Sequence, residues 1–211
     1  MDASEEKYLA DHTSQPPKYL DELYRRTYLT RLYPRMCCDP HQGRLLSMLT
    51  SMINPRRVLE LGTFSGYSAL CFAEGVAAGG EVHTVEIDDE AAPALEATFA
   101  ASPFADRIRL HIGDAMEVVP GISAEPWDMV YIDANKRLYP DYYRMVKPLV
   151  RPGGFILADN TLWSGAAAHQ TEHRDPQTRG LCEFNDMVAA DSDVATVLLP
   201  LYDGMTIIRK L

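Results

Sequence analysis

The sequence predicts a single α/β domain in which helices cover both faces of a doubly wound, seven-stranded, mostly parallel sheet. Three observations support this fold class. Strand-like and helix-like patterns alternate from about residue 57 to residue 190, which is typical of right-handed βαβ units. Three of the apolar runs end at a carboxylate. Two strand-like runs at the C-terminus are joined through Asp203-Gly204, which indicates an antiparallel hairpin.

Composition limits the class of protein. The chain has 211 residues, of which 46% are hydrophobic and 24% are charged, and this fits one globular domain that spans residues 1–211. The formal net charge of −10 disfavours nucleic acid as a partner. The N-terminus carries no apolar segment and no run has transmembrane length, so we expect a cytoplasmic protein with no membrane partner.

The N-terminal residues 1–54 are predicted to form a helical cap on an α/β core that spans residues 55–211. Residues 1–17 are polar and end in Pro16-Pro17, which suggests a loose arm or a short helix. Apolar residues recur at helical spacing from Lys18 to about Arg35. Asp39-Pro40 provides an N-cap followed by proline, and the helix that begins there stops at Asn54-Pro55.

Strands and helices alternate through the rest of the chain. The predicted strands are 57–61, 81–87, 108–113, 128–133, 154–159, 195–201 and 205–210. The predicted helices are 66–78, 89–101, a short one at 114–120, 138–149 and 179–190. Helical crossovers between successive strands require those strands to be parallel, so only the C-terminal hairpin brings in an antiparallel strand.

A glycine turn follows the first strand, where Gly62 and Gly66 frame the start of a helix. Glu86 ends the next strand at a spacing that suits a carboxylate accepting from ribose hydroxyls. Phe64 occupies the position where a second glycine would admit a pyrophosphate, and Glu60 would repel one. We therefore expect a cationic nucleoside cofactor, S-adenosylmethionine. The alternative is that the glycines only permit tight packing and that Glu60 is solvated.

Polar side chains also end the fourth and fifth strands. Asp133 follows one apolar run, and Asp159 and Asn160 follow the other. Their oxygens are hard donors, suited to Mg²⁺, Mn²⁺ or Ca²⁺, although each residue alone also fits a cap or a turn. Lys136 is either an ordinary exposed lysine or, beside a divalent cation that disfavours its charged form, a general base.

One further motif is rejected. His169-Gln170-Thr171-Glu172-His173 matches the inverted zinc-protease pattern H-x-x-E-H. That pattern requires a helix of several turns, but Gly165 precedes it and Asp175-Pro176 follows closely. We expect a loop at the border of the crevice instead of a zinc site.

Several of these segments together closely resemble the cation-dependent O-methyltransferases, a family that includes the catechol and caffeoyl-CoA enzymes and small bacterial relatives. The resemblance extends from about Tyr33 to the C-terminus. The segments that carry it are Gln42-Gly43-Arg44-Leu45-Leu46, Glu60-Leu61-Gly62-Thr63-Phe64-Ser65-Gly66-Tyr67-Ser68, Tyr131-Ile132-Asp133-Ala134-Asn135-Lys136, Asp159-Asn160-Thr161-Leu162-Trp163-Ser164-Gly165 and Leu201-Tyr202-Asp203-Gly204-Met205.

The resemblance implies a role for each site residue. The residues that would contact S-adenosylmethionine are Glu60, Gly62, Thr63, Ser68, Glu86, Asp114, Ala115 and Asp133. Those that would hold the cation, with Mg²⁺ preferred, are Asp133, Asp159 and Asn160. Lys136 would be the catalytic base beside Asp133. The implied substrate contacts are Lys136, Asn160, Trp163 and Ser164.

Two departures from the family pattern are visible. Many relatives have Asp at the position of Asn135, and the plant enzymes have Asn where Ser164 stands. The second departure concerns substrate recognition more than chemistry. The resemblance also implies a homodimer, and the aromatic and apolar residues of the helical N-terminal region, such as Tyr24, Tyr28 and Leu32, favour one.

The expected function is transfer of a methyl group from S-adenosylmethionine to one hydroxyl of a vicinal diphenol. Two alternatives remain. A methyltransferase for nucleic acid or an N-nucleophile is disfavoured by the charge of −10 and by the absence of an Asn/Asp-Pro-Pro-aromatic motif at the fourth strand. A non-enzymatic cofactor-binding module is disfavoured because it would need neither the metal donors nor the candidate base.

Overall fold

The computed structural model describes residues 3–169 and 175–211. Its helices are α1 (Ala3–Asp11), α2 (Lys18–Thr30), α3 (Pro40–Ile53), α4 (Tyr67–Gly75), α5 (Ala92–Ala100), α6 (Ala115–Ile122), α7 (Tyr139–Leu149) and α8 (Pro176–Ala189). Its strands are β1 (Arg57–Leu61), β2 (Glu81–Glu86), β3 (Ile108–Ile112), β4 (Trp127–Ile132), β5 (Val150–Asp159), β6 (Val194–Leu199) and β7 (Met205–Lys210). Short 3-10 helices lie at Pro34–Met36, Asp89–Ala91 and Lys136–Leu138.

The seven strands form one sheet in the order β3-β2-β1-β4-β5-β7-β6. β1 to β5 pair in parallel, whereas β7 runs antiparallel to both β5 and β6. The predicted fold class, a mostly parallel seven-stranded sheet with a C-terminal antiparallel hairpin, is confirmed. The strand order reverses direction between β1 and β4, and open α/β sheets bind ligands beside such a switch point.

Alternate residues of each central strand supply two apolar clusters, one on each face of the sheet. On β1, Val58 belongs to the cluster covered by α2 to α5, and Leu59 to the cluster covered by α6 to α8. This alternation follows from the period of two in a strand. Because both faces are covered, the central strands are almost continuously buried, as parallel sheets require.

The element boundaries of the α/β core differ from the prediction by up to four residues, and the largest difference is in β5, which begins at Val150 and not at residue 154. Ala3–Asp11 is helical, so the N-terminal segment is the short helix and not the loose arm. The C-terminal hairpin is present, but β6 ends at Leu199, two residues earlier than predicted. Residues 200–204 therefore connect the strands. None of the helices in the described ranges has the length and apolar character to cross a membrane.

Candidate active site

The strand registers bring the predicted site residues to one level at the carboxyl edge of the sheet. The residues of β1, β2, β4 and β5 that pair at one level are Leu61, Val85, Ile132 and Ala158. The next residues along these strands are Gly62, Glu86, Asp133 and Asp159. These four residues come from four separate segments of the sequence, and the strand registers place them side by side. They lie at the switch point of the sheet, where a ligand crevice is expected.

Close packing explains why the turn after β1 contains glycine. Gly62 has a φ of +98°, and a Cβ atom there would lie 2.2 Å from the carbonyl oxygen of Asp133. Gly66 has a φ of +82° and is the N-cap residue of α4. Between them the backbone N–H of Phe64 donates to Oε2 of Glu86 at 2.7 Å. Glu86 therefore ties the end of β2 to the turn.

Glu60 is fully buried beneath the same turn, with 0% of its surface exposed. Its Oε2 accepts a hydrogen bond of 2.6 Å from the hydroxyl of Thr84, whereas its Oε1 has no hydrogen-bond partner among the described residues. Burial raises the pKa of Glu60 to about 8, and the hydroxyls of Ser68 and Thr84 oppose this shift. The alternative in which Glu60 is solvated is wrong. An unsatisfied buried carboxylate oxygen suits a cationic donor.

The other predicted cofactor residues surround this turn. Thr63 is buried, and its hydroxyl lies 2.5 Å from that of Thr84. Ser68 is in the first turn of α4. Asp114 caps α6 by accepting from the backbone N–H of Met116 at 2.8 Å, and Ala115 is the first residue of that helix. Both helices begin at the edge where the four strands end.

Asp133 directly follows β4, and Asp159 is the last residue of the neighbouring strand β5. Asp159 is only 5% exposed. Burial raises its pKa, and the negative charge of Asp133 raises it further. Asn160 follows with a left-handed φ of +58°. The two carboxylates repel each other, and a divalent cation bound between them would stabilise both.

The donor set also fits a hard cation. Within residues 3–169 and 175–211, no group of three or more His, Cys, Asp or Glu side chains is arranged to hold a metal ion. A third protein donor at this edge would therefore be an oxygen other than a carboxylate, such as the amide oxygen of an asparagine. The sequence selects Asn160 for that role, and the structure places it directly after Asp159.

Lys136 lies in the short 3-10 helix after β4, and it is 9% exposed. Its Nζ donates to Oδ1 of Asp133 at 2.6 Å and to the hydroxyl of Tyr139 at 2.8 Å. The alternative in which Lys136 is an ordinary exposed lysine is wrong. Two of the three N–H groups of its ammonium form are thus directed into the protein.

The loop that follows Asn160 adopts a conformation that is rare outside glycine. Trp163 and Ser164 have φ values of +49° and +51°. The carbonyl oxygen of Asp203 accepts from the backbone N–H of Trp163 at 3.2 Å, and its carboxylate accepts from that of Ser164. The C-terminal hairpin therefore holds the loop against the crevice. The rejected histidine motif extends into residues 170–174, so its predicted loop lies outside the described residues.

Sequence reasoning missed three neutral side chains that organise the charged ones. Gln42 and Tyr131 both donate to Asp159, and the hydroxyl of Tyr139 lies 2.9 Å from the carbonyl oxygen of Asp159. Gln42 and Tyr131 belong to segments that carry the family resemblance, but the sequence assigns no role to either of them or to Tyr139. No spacing rule distinguishes a core tyrosine from one whose hydroxyl contacts a site.

The sequence matches the O-methyltransferase family over residues 10–211. This chain belongs to the O-methyltransferase family. The O-methyltransferase ankF of Aspergillus thermomutatus is 33% identical to it over 97% of this chain and 91% of the relative. The catechol O-methyltransferase of Niastella koreensis is 30% identical over 82% of each chain. The caffeoyl-CoA O-methyltransferase of Stellaria longipes is 30% identical over 97% of this chain and 89% of the relative.

Solved structures of O-methyltransferases have the same fold. The Bacillus cereus enzyme, in complex with SAH (S-adenosylhomocysteine), has a TM-score of 0.91 at 28% identity and covers 99% of this chain and 97% of its own. The Streptomyces achromogenes enzyme TomG, in complex with SAM, has a TM-score of 0.90 at 29% identity and covers 98% and 96%. The prediction of an O-methyltransferase is confirmed, so the two alternatives to it are set aside.

Proposed function

We propose that this O-methyltransferase transfers the methyl group of S-adenosylmethionine to one hydroxyl of a vicinal diphenol of the catechol, caffeoyl or flavonoid type. The observation that carries the proposal is the pair of carboxylates, Asp133 and Asp159, at the ends of adjacent strands, with Lys136 bonded to the first of them. The names of the relatives, catechol and caffeoyl-CoA O-methyltransferases, support the substrate class. The structures solved with SAH and SAM support the cofactor.

For the cofactor, we assign the ribose to Glu86, because its carboxylate ends β2 beside the glycine turn. Glu60 offers a buried oxygen without a hydrogen-bond partner in the described structure, which suits the ammonium group of the methionine moiety. The residues that we assign to the remaining contacts are Gly62, Thr63, Ser68, Asp114, Ala115 and Asp133. A sulfonium is also better stabilised by this carboxylate-lined edge than an anionic dinucleotide would be.

For the metal, we assign Asp133, Asp159 and Asn160 as ligands of a divalent cation, with Mg²⁺ preferred and Mn²⁺ or Ca²⁺ as alternatives. Mg²⁺ takes six ligands and usually keeps places for water and substrate, so three protein donors leave room for two vicinal hydroxyls. When bound, the cation would stabilise the deprotonated form of a phenol, whose pKa is near ~10 in water. This requirement for two adjacent oxygens is the reason to propose a diphenol and not a monophenol.

For the chemistry, we assign the role of general base to Lys136. Contacts to Asp133 and Tyr139 hold its Nζ at the edge of the sheet, where the neutral amine would accept the proton of one hydroxyl. The phenolic oxygen then attacks the methyl carbon, a C–O bond forms, and the C–S bond breaks to leave S-adenosylhomocysteine. Orientation of the two reactants and placement of charge supply most of the catalysis. We assign Trp163 and Ser164, together with Asn160, to the substrate wall.

The test is a methyl-transfer screen over catechols, hydroxycinnamates and flavonoids, with phenol as the monophenol control and the metal varied. We expect EDTA to abolish turnover, Mg²⁺ or Mn²⁺ to restore it, and phenol to react little. Asp159→Ala should abolish turnover while calorimetry still detects S-adenosylhomocysteine. Full activity after exhaustive chelation would overturn both the metal assignment and the substrate class.

We also propose that the enzyme is a homodimer. Near the end of α2 the structure exposes several large apolar side chains, among them Leu29 at 75%, Leu32 at 83% and Tyr33 at 66%, and such patches are typical of protein interfaces. Sedimentation at micromolar concentration should give twice the chain mass of 23.6 kDa. A monomer under those conditions would contradict this proposal.

A further inference from the structure

Two side chains from outside β5 determine how the carboxylate of Asp159 is oriented. Gln42 on α3 donates from Nε2 to Oδ2 of Asp159 at 2.6 Å. The hydroxyl of Tyr131 on β4 donates to the same oxygen at 2.9 Å. The other oxygen, Oδ1, accepts from the backbone N–H of Asn160 at 2.8 Å.

The three hydrogen bonds leave Asp159 with few free acceptor positions for a cation. Each carboxylate oxygen has two acceptor positions in the plane of the group. Both positions on Oδ2 of Asp159 are occupied by the donors from Gln42 and Tyr131, whereas Oδ1 uses one position for Asn160. One acceptor position on Oδ1 remains, so Asp159 in this arrangement can bind a cation through a single oxygen.

The arrangement is rigid because its members are buried. Gln42 is 7% exposed and Tyr131 is 0% exposed. α3 packs very closely on α4 next to Gln42, because a Cβ atom at Gly43 would lie 2.6 Å from the ring of Tyr67. This close approach places the amide of Gln42 over the end of β5.

We propose that Gln42 and Tyr131 are positioning residues of the metal centre, which hold Asp159 so that only Oδ1 faces the cation. The inference rests on the proposed function, because it requires a cation at Asp159. Through Gln42, which is 117 residues from Asp159 in sequence, helix α3 of the N-terminal region would also contribute to the metal centre. Residues that orient a metal ligand typically change metal affinity by ~10–100-fold when they are replaced.

The experiment compares Gln42→Leu and Tyr131→Phe with the wild-type enzyme and with Ser47→Ala. Ser47 is also on α3 and buried, but its hydroxyl donates to Glu74 at 2.7 Å, so Ser47→Ala removes a buried hydrogen bond of α3 without touching Asp159. Mn²⁺ affinity is measured by the electron paramagnetic resonance signal of the free ion, in the presence of S-adenosylhomocysteine. Calorimetry gives the affinity for S-adenosylhomocysteine, and circular dichroism gives the melting temperature.

We expect Gln42→Leu and Tyr131→Phe each to weaken Mn²⁺ binding by ~10–100-fold. The affinity for S-adenosylhomocysteine should change less than about twofold, and the melting temperature of each variant should be close to that of Ser47→Ala. Their losses should not be additive in the double variant, because both donors share one oxygen. Tyr131→Phe keeps the ring volume, so it tests the inference even where Gln42→Leu fails to fold. Mn²⁺ affinities within about twofold of the wild type overturn this inference alone. A wild-type enzyme that binds no Mn²⁺ overturns the proposed function as well.

Discussion

Replacing Gly62 with alanine tests whether the glycine turn positions the carboxylate of the neighbouring strand. At a φ of +98°, the new Cβ atom would lie 2.2 Å from the carbonyl oxygen of Asp133. Ordinary contact begins near 3.4 Å, so the turn or the end of β4 must move by about 1 Å. Because the clash is between the cofactor turn and the backbone of Asp133, Gly62→Ala should disturb the turn and the proposed metal site together.

Gly79→Ala is the matched control. Gly79 also has a positive φ, +72°, but no heavy atom lies within 4 Å of the Cβ position. Both variants carry the cost of a left-handed alanine, about 1–2 kcal/mol. Only Gly62→Ala adds overpacking, about 1–3 kcal/mol. The expected losses in the free energy of unfolding are therefore about 1–2 kcal/mol for Gly79→Ala and about 2–5 kcal/mol for Gly62→Ala.

Two assays separate these effects. Urea unfolding followed by circular dichroism gives the stability of each variant. Initial rates with saturating S-adenosylmethionine and catechol give kcat, which we expect to fall about 100-fold in Gly62→Ala, since a displacement of 1 Å can have that effect, and to stay at the wild-type value in Gly79→Ala. The reasoning is refuted if the two variants agree within about 0.5 kcal/mol in stability or have equal kcat.

Three further predictions concern charged residues of the site. Lys136→Ala should lower kcat by ~10²–10⁴-fold and leave cofactor affinity intact. The control is Lys147→Ala, which loses an ion pair with Asp191 away from the crevice and should keep the wild-type kcat. A near-normal kcat in Lys136→Ala would exclude Lys136 as the base. Glu86→Ala should weaken S-adenosylhomocysteine binding by about 1–3 kcal/mol in calorimetry, and unchanged affinity would contradict the ribose assignment. Because burial raises the pKa of Glu60 from 4.5 to about 8, the folded protein binds that proton more tightly than the unfolded chain does, and stability falls as pH rises through this window. Glu60→Gln should reduce that fall in urea unfolding between about pH 5 and pH 8 without cofactor, and an unchanged pH dependence would show that Glu60 is not the cause.

The fold was predictable because its signals are local. A parallel strand that is buried on both faces is an apolar run, and the run ends where the chain leaves the core. For β4 and β5 these ends are Asp133 and Asp159. Once the alternation of strands and helices implies a parallel sheet, all carboxyl ends lie at one edge. The convergence of the site follows from that topology without knowledge of any side-chain contact.

The contacts that orient the site were not predictable, because they depend on packing between distant segments. Gln42 reaches Asp159 only because α3 docks closely on α4 at Gly43. The left-handed backbone at Trp163 and Ser164 likewise has no local signal, since neither residue favours that conformation. It is maintained by Asp203, almost forty residues later in the chain. Interactions of this kind emerge only when the elements are placed against each other.

The carboxylates of the crevice explain why an acidic chain would bind cationic ligands here. Glu60, Glu86 and Asp159 accept hydrogen bonds from hydroxyl, amide and backbone N–H groups, all of them neutral. Burial raises the pKa of Glu60 and of Asp159, which shows that their negative charges are costly in the folded protein. A sulfonium, an ammonium or a divalent cation would relieve that cost. Ligands that bind only the folded state stabilise it by RT ln(1 + [L]/Kd). Glu60 and Asp159, whose buried charges lower the stability of the protein at neutral pH, would therefore be the residues through which the cofactor and the metal restore that stability.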